Sequence, residues 1–132
     1  LEELAAQLAC DRIAREELGE LQAAADHFRD VLDSDDITLI AQADEAFHDV
    51  IFTATNNGRL IQLLNNLREQ MYRYRIEYLK KKECYPQLLA EHRSIIEAIE
   101  SHDKEKATAI TGQHINNQVD TVVGTLRHRD EE

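Results

Sequence analysis

Apolar residues recur at steps of three and four along almost the whole chain, and that spacing admits helices and little else. Leu18, Leu21, Ala25, Phe28, Val31 and Leu32 form one such stripe; Leu60, Leu63, Leu64, Leu67, Met71 and Ile76 form another. No stretch alternates apolar and polar residues with the period of two that a half-buried strand requires. One proline and four glycines in 132 residues leave few places where a helix must stop. The pattern predicts helices from the start to about residue 13, from Arg15 to Leu32, from Ile37 to Thr53 and from Arg59 to Lys81. Two more run from Pro86 to about Ser101 and from a cap at Asp103 to about His128, with the residues from Arg129 frayed. Nothing between the first two forces a break. Short connections make consecutive helices antiparallel neighbours. The expected fold is all-α, an antiparallel bundle of six to seven helices forming a single domain over residues 1–132.

The punctuation agrees with that division. Asp33-Ser34-Asp35-Asp36 makes a turn followed by an aspartate cap, whose carboxylate can accept the free amides that open the next helix. Asn56-Asn57-Gly58 supplies residues that tolerate the left-handed conformation of a helix stop. Lys80, Lys81 and Lys82 suit the negative end of the helix they close, and Pro86 fits a first helical turn.

Four polar residues break the apolar stripes. Asp44 and His48 fall on the stripe of Ile37, Ile40, Ala41, Phe47 and Ile51; His92 falls among Leu88, Leu89, Ile95, Ile96 and Ile99; His114 falls on the line of Ala107, Ile110, Thr121 and Val122. An unpaired buried carboxylate costs several kcal/mol, comparable with the whole stability of a domain, so Asp44 requires a cation. That cation is either a side chain or a metal. The histidines are either hydrogen-bonded core residues or ligands, and three of them with an aspartate on the inner faces of different helices can meet at one point. Imidazole and carboxylate suit a divalent transition ion: zinc first, with nickel, manganese or iron also compatible.

The charge narrows the function. With 26 acidic and 15 basic residues the chain carries a formal −11, which opposes phosphate binding and so argues against these residues gripping nucleic acid themselves. No run is long and apolar enough to span a membrane, and no signal peptide is visible. Cys10 and Cys84 follow no ligand spacing and read as reduced thiols of a cytoplasmic protein. Leu1 opens the chain inside a helical pattern, which reads as a fragment of a longer protein.

Asp44-x-x-Phe47-His48, then Asn57, then Glu91-His92 with Ile95 and Ala98-Ile99, then Asp103, Ala107 and His114-Ile115 follow one another in an order and spacing that resembles the C-terminal ligand-sensing (FCD) domain of GntR-type transcription regulators of the FadR branch. The opening Leu1-Glu2, Ala5-Ala6 and Leu8-Ala9 is similar to the first helix of that domain, so the resemblance covers essentially the whole chain. It implies a divalent metal on Asp44, His48, His92 and His114, and a small carboxylate or sugar-acid effector at or beside it. It also implies a homodimer that reaches operator DNA only through an N-terminal winged helix-turn-helix domain lying outside this chain.

Four protein ligands leave an octahedral ion open to water or to an effector oxygen. Arg68 and Arg75, seven apart on one helix face, could grip a carboxylate as a fork, with Tyr72 on the same side. Asn117 and Thr121 continue the inward line of His114 and could line the same cavity. His27, His102 and His128 sit at helix surfaces or ends, and Glu91 reads as solvent-facing. Asp44 is the sole inner carboxylate and is already spent as a ligand. The alternative reading, a helical-bundle metalloenzyme with a metal-activated water, therefore lacks a general base. A di-iron carboxylate bundle would need paired Glu-x-x-His motifs, and only Glu45-Ala46-Phe47-His48 fits.

Overall fold

The computed structural model describes residues 1–131, with side chains described through residue 124. Its α-helices are α1 (Glu2–Arg12), α2 (Arg15–Val31), α3 (Ile37–Ala54), α4 (Gly58–Asn66), α5 (Arg68–Leu79), α6 (Tyr85–Glu100) and α7 (Lys104–Glu131). Among the described residues there is no strand, and the expected all-α bundle of six to seven helices is the observed fold. Single-turn 3-10 segments at Leu32–Ser34 and Lys82–Cys84 lead into the connections before α3 and α6.

Asp36 and Asp103 make the caps expected of them, and Asn57, read as part of a helix stop, caps the helix that follows. Side chains of Asp36, Asn57 and Asp103 accept from the amides of Leu39, Leu60 and Lys106 at 3.2, 3.1 and 3.0 Å. Asn56 and His102 take left-handed φ values of 50° and 58°. Around His102 the amide of Asp103 donates to the carbonyl of Ala98 and that of His102 to Ile99, the paired closure that ends a helix in a Schellman motif. The exposed ring of His102 meets the Cys10 carbonyl and ties the α6–α7 corner to α1.

The break between the first two helices falls where the pattern places it, and two later boundaries differ from the periodic reading. The first two helices are separate: Ile13 and Ala14 are extended, and the Glu17 carboxylate accepts from the Ala14 amide at 2.9 Å to open α2. The single helix expected from Arg59 to Lys81 is two, because Leu67 leaves the α-helical hydrogen-bond pattern and donates to Leu64, three residues back. Asn65 and Asn66, weak helix formers, precede that break. Apolar periodicity continues across it, which is why the stripe alone did not reveal the break. The last helix runs to Glu131, past the expected stop near His128; the side chain of His128 lies outside the described residues.

Packing explains where the polar residues sit. One apolar cluster joins Ala6, Ala9, Leu21, Phe47, Ile51, Ile95, Ile99 and Ala107. A second joins Phe28, Ile40, Ala41, Tyr78, Leu79, Leu88 and Val122. Along α3, α6 and α7 the chain passes from one cluster to the other through Asp44 and His48, through His92, and through His114 and Gln118. The bundle therefore carries a polar layer across its middle, closed by the large apolar residues on either side. Cys10 is buried, Cys84 is half-buried, and both thiols are free.

Candidate metal centre

Helix geometry sets up the first pair. Asp44 and His48, one turn apart on α3, are 1 % and 4 % exposed, and His48 Nε2 lies 3.5 Å from Asp44 Oδ1. From α6, His92 Nε2 approaches the same oxygen to 3.0 Å. His114 on α7 completes the set: one ring nitrogen from each of His48, His92 and His114 lies within 4.8 Å of the other two, and all three residues are buried. The histidine rings are 5.5 to 5.8 Å apart. His92 is held between Phe47, stacked at 4.1 Å, and Phe28 at 4.8 Å.

Neighbouring groups decide which nitrogen faces inward. Glu91 Oε2 lies 2.6 Å from His114 Nδ1, so a proton there is held by the carboxylate and Nε2 is turned toward the centre. Asn117 donates to the other oxygen of Glu91 at 3.3 Å and steadies it. Gln118 Nε2 lies 3.2 Å from His114 Nε2. Glu2, at the start of α1, lies 3.8 Å from His48 Nδ1.

Charge balance rests on Arg75. Its guanidinium is buried on α5, with Nε 3.3 Å from Asp44 Oδ2 and Nη2 3.4 Å from Glu2 Oε1. Burial alone would push the Asp44 carboxyl up, but His48, His92 and Arg75 outweigh it and hold the group well below the usual carboxylate range. Burial pushes His92 down to about 4 against the opposing pull of Asp44. At neutral pH the site thus presents a carboxylate and a neutral imidazole, the forms that bind metals.

Donor chemistry and unmet valence both suit a cation. Asp44 is ion-paired with Arg75 and close to His92, yet neither of its oxygens meets hydrogen-bond geometry, nor do Nε2 of His48 and both nitrogens of His92, all of them buried. Each such group left unsatisfied costs about 1–3 kcal/mol. Arg75 neutralises the charge of Asp44 but leaves Nε2 of His48 and the His92 nitrogens without a hydrogen bond, while the amide of Gln118 already meets His114 Nε2 at 3.2 Å.

Of the other residues expected near an effector, Arg75 alone reaches Asp44. Arg68 stands on the outer flank of α3, bonded to Glu45 and, at 2.9 Å, to Asp49. With Tyr72 it lines an open groove of about 630 Å³ that includes no member of the polar layer. The two arginines do share the α3-facing side of α5, but their carboxylate partners on α3 lie at different depths. Asn117 serves Glu91, and Thr121 is half-buried farther along α7. Gln118, at i+4 from His114, takes the inward position that Asn117 and Thr121 were expected to share. Glu91 is turned into the bundle, its side chain 12 % exposed, so it is not the solvent-facing residue its position beside His92 suggested. Asp44 is accordingly not the sole inner carboxylate. Three contributors, Glu2, Glu91 and Gln118, were not legible as site residues, whereas Arg75 was expected there and its pairing with Asp44 was not. Only a phase count of i+4 from His114 would have singled out Gln118. His27 and His102 are exposed, as expected of non-ligands.

A recess of about 250 Å³ reaches the polar layer from outside, lined by Glu2, Met71, Tyr74, Arg75, Ile115 and Gln118 among others. An all-helical bundle with a buried polar centre and a recess leading to it gives a small molecule a route to that centre. The chain belongs to the FCD domain family, which matches residues 1–117. That membership makes it a ligand-sensing domain of the GntR-type C-terminal kind. No curated protein matches the chain.

Proposed function

We propose that this domain senses a small carboxylate or sugar acid at a divalent transition metal held by Asp44, His48, His92 and His114. It would act as the dimerisation and effector domain of a cytoplasmic transcription regulator of the FadR branch. The observation that carries the reading is the buried meeting of three imidazoles, His48, His92 and His114, beside the Asp44 carboxylate, with unmet hydrogen-bonding capacity on Asp44, His48 and His92. An ion bound there supplies an electrophilic point with positions open to an oxygen ligand, and zinc fits the donor set first, with nickel, manganese and iron behind it.

The chain's own groups do the rest. Glu91 holds the His114 ring by its outer nitrogen. Phe47 and Phe28 fix the plane of His92. Arg75 presents guanidinium N–H donors toward the recess and can take a carboxylate in a two-point grip. Operator DNA would be bound by a winged helix-turn-helix domain elsewhere in the regulator, consistent with the acidic charge here. No described helix is long and apolar enough to cross a membrane.

Elemental mass spectrometry on tag-free protein never exposed to a nickel column tests the centre. About one equivalent of transition metal is expected, and the double variant Asp44→Ala/His48→Ala should hold none. Absence of metal in the wild type, with no uptake on adding zinc, overturns the proposal. A metalloenzyme would instead turn over esters or phosphates and lose that turnover in His92→Ala.

A further inference from the structure

The recess beside the polar layer already contains a carboxylate, and it belongs to the chain. Glu2 Oε1 is 3.4 Å from Arg75 Nη2 and 3.8 Å from His48 Nδ1. Its side chain is 21 % exposed, whereas that of Asp44, the other anion on Arg75, is 1 % exposed. One partner of the guanidinium is therefore locked in the core and the other stands at the mouth of the recess. Glu2 sits in the first turn of α1, and one oxygen serves both of its contacts. A free carboxylate can use two oxygens against a guanidinium.

The geometry points to Glu2 as a built-in competitor: it occupies on Arg75 the place that an effector carboxylate takes, so the effector binds by displacing the Glu2 side chain from the guanidinium. This rests on the carboxylate-sensing reading above and adds the regulation of that site. Its chemistry follows from the occupant. Glu2 is a carboxylate on a short apolar stem, and the recess beyond it offers Leu67, Met71 and Ile115 as apolar walls with Gln70, Tyr74 and Gln118 as polar ones. A small carboxylic acid fits that description, with its acid group toward Arg75. The volume, about 250 Å³, equals roughly eight waters and so limits the effector to a compact molecule.

The competition has a predictable size. If Glu2 is seated about nine-tenths of the time, the competent fraction is about one-tenth and the apparent affinity for a carboxylate is reduced about tenfold. Zinc-loaded wild type, Glu2→Gln and Glu2→Asp are to be titrated calorimetrically with acetate and with succinate, with Glu3→Gln as the neighbouring control. Glutamine removes the charge at constant shape; aspartate keeps the charge but is one methylene too short to reach Arg75. Both variants at position 2 are expected to bind the probes about tenfold more tightly than wild type, with zinc affinity unchanged and Glu3→Gln indistinguishable from wild type. Equal carboxylate affinity in wild type and Glu2→Gln overturns the inference and leaves the sensing reading standing. Weaker binding in Glu2→Gln also overturns it, by making Glu2 a helper of the effector. So does a tenfold loss of zinc affinity, which would make Glu2 a positioning residue for His48. If no variant binds either probe, both the inference and the carboxylate reading fall.

Discussion

Acid should unfold the metal-free protein earlier than its carboxylates alone would dictate, and His92 is the reason. An ordinary imidazole titrates near 6.5; in the folded chain burial between Phe28 and Phe47 brings His92 down to about 4. Above about pH 6.5 neither folded nor unfolded His92 takes up a proton, so its contribution to stability is complete there. Between about 6.5 and 4 the unfolded chain binds a proton that the native state refuses, and stability falls by about 1.4 kcal/mol per pH unit. The full loss is about 3 kcal/mol, of which about 2 kcal/mol is reached by pH 5. Asp44 acts in a lower window. Its folded pKa is depressed, so its contribution is present above the ordinary carboxylate range and disappears only as pH falls below it. The two residues are thus separable by pH. The assay is urea unfolding of chelator-treated protein at about pH 7.5 and 5, for wild type and His92→Gln. Glutamine does not titrate, so the wild type should lose about 2 kcal/mol more than the variant over that interval. Equal losses in the two proteins would refute the argument and show that the fold admits a charged His92.

Two other outcomes are specific. Glu91→Gln removes the carboxylate that holds His114 Nδ1 at 2.6 Å; metal affinity, measured by competition with a chromophoric chelator, should drop about 10- to 100-fold with the fold intact by circular dichroism. Gly19, exposed in the middle of α2 with open space where a side chain would go, should gain about 0.5–1 kcal/mol of stability as Gly19→Ala in thermal unfolding.

The buried polar residues were visible from sequence because helical phase is a strong signal over long helices. Asp44, His48, His92 and His114 interrupt apolar stripes that the core must bury, and burial followed. What phase does not encode is which residues lean in from a helix flank. Glu91 adjoins His92 and by phase belongs outside, yet its side chain bends back to His114 because a second helix passes there. Arg68 and Arg75 share a phase and differ in depth: one meets the surface acids Glu45 and Asp49, the other the buried Asp44. The crossing of α5 over α3 sets that difference, and a crossing is a tertiary fact. Glu2 is the extreme case. It sits in the first turn of its helix, where negative charge is favoured for local reasons, and that local explanation conceals a contact 73 residues away in sequence.

The polar layer also limits how the bundle can be assembled. Cores rich in Ala, Leu and Ile tolerate many arrangements, because one small apolar side chain replaces another at modest cost. Here a slide of α5 by one turn along α3 would take Arg75 off Asp44 and leave two buried charges among apolar neighbours, a loss of about 3–5 kcal/mol for breaking such a pair. Shifting α6 by a turn would strand His92 outside its phenylalanine sandwich. The charged stratum thus works as a vernier between helices, penalising every alignment but one. The helices should lock into a single register even while the surrounding core remains forgiving of substitution.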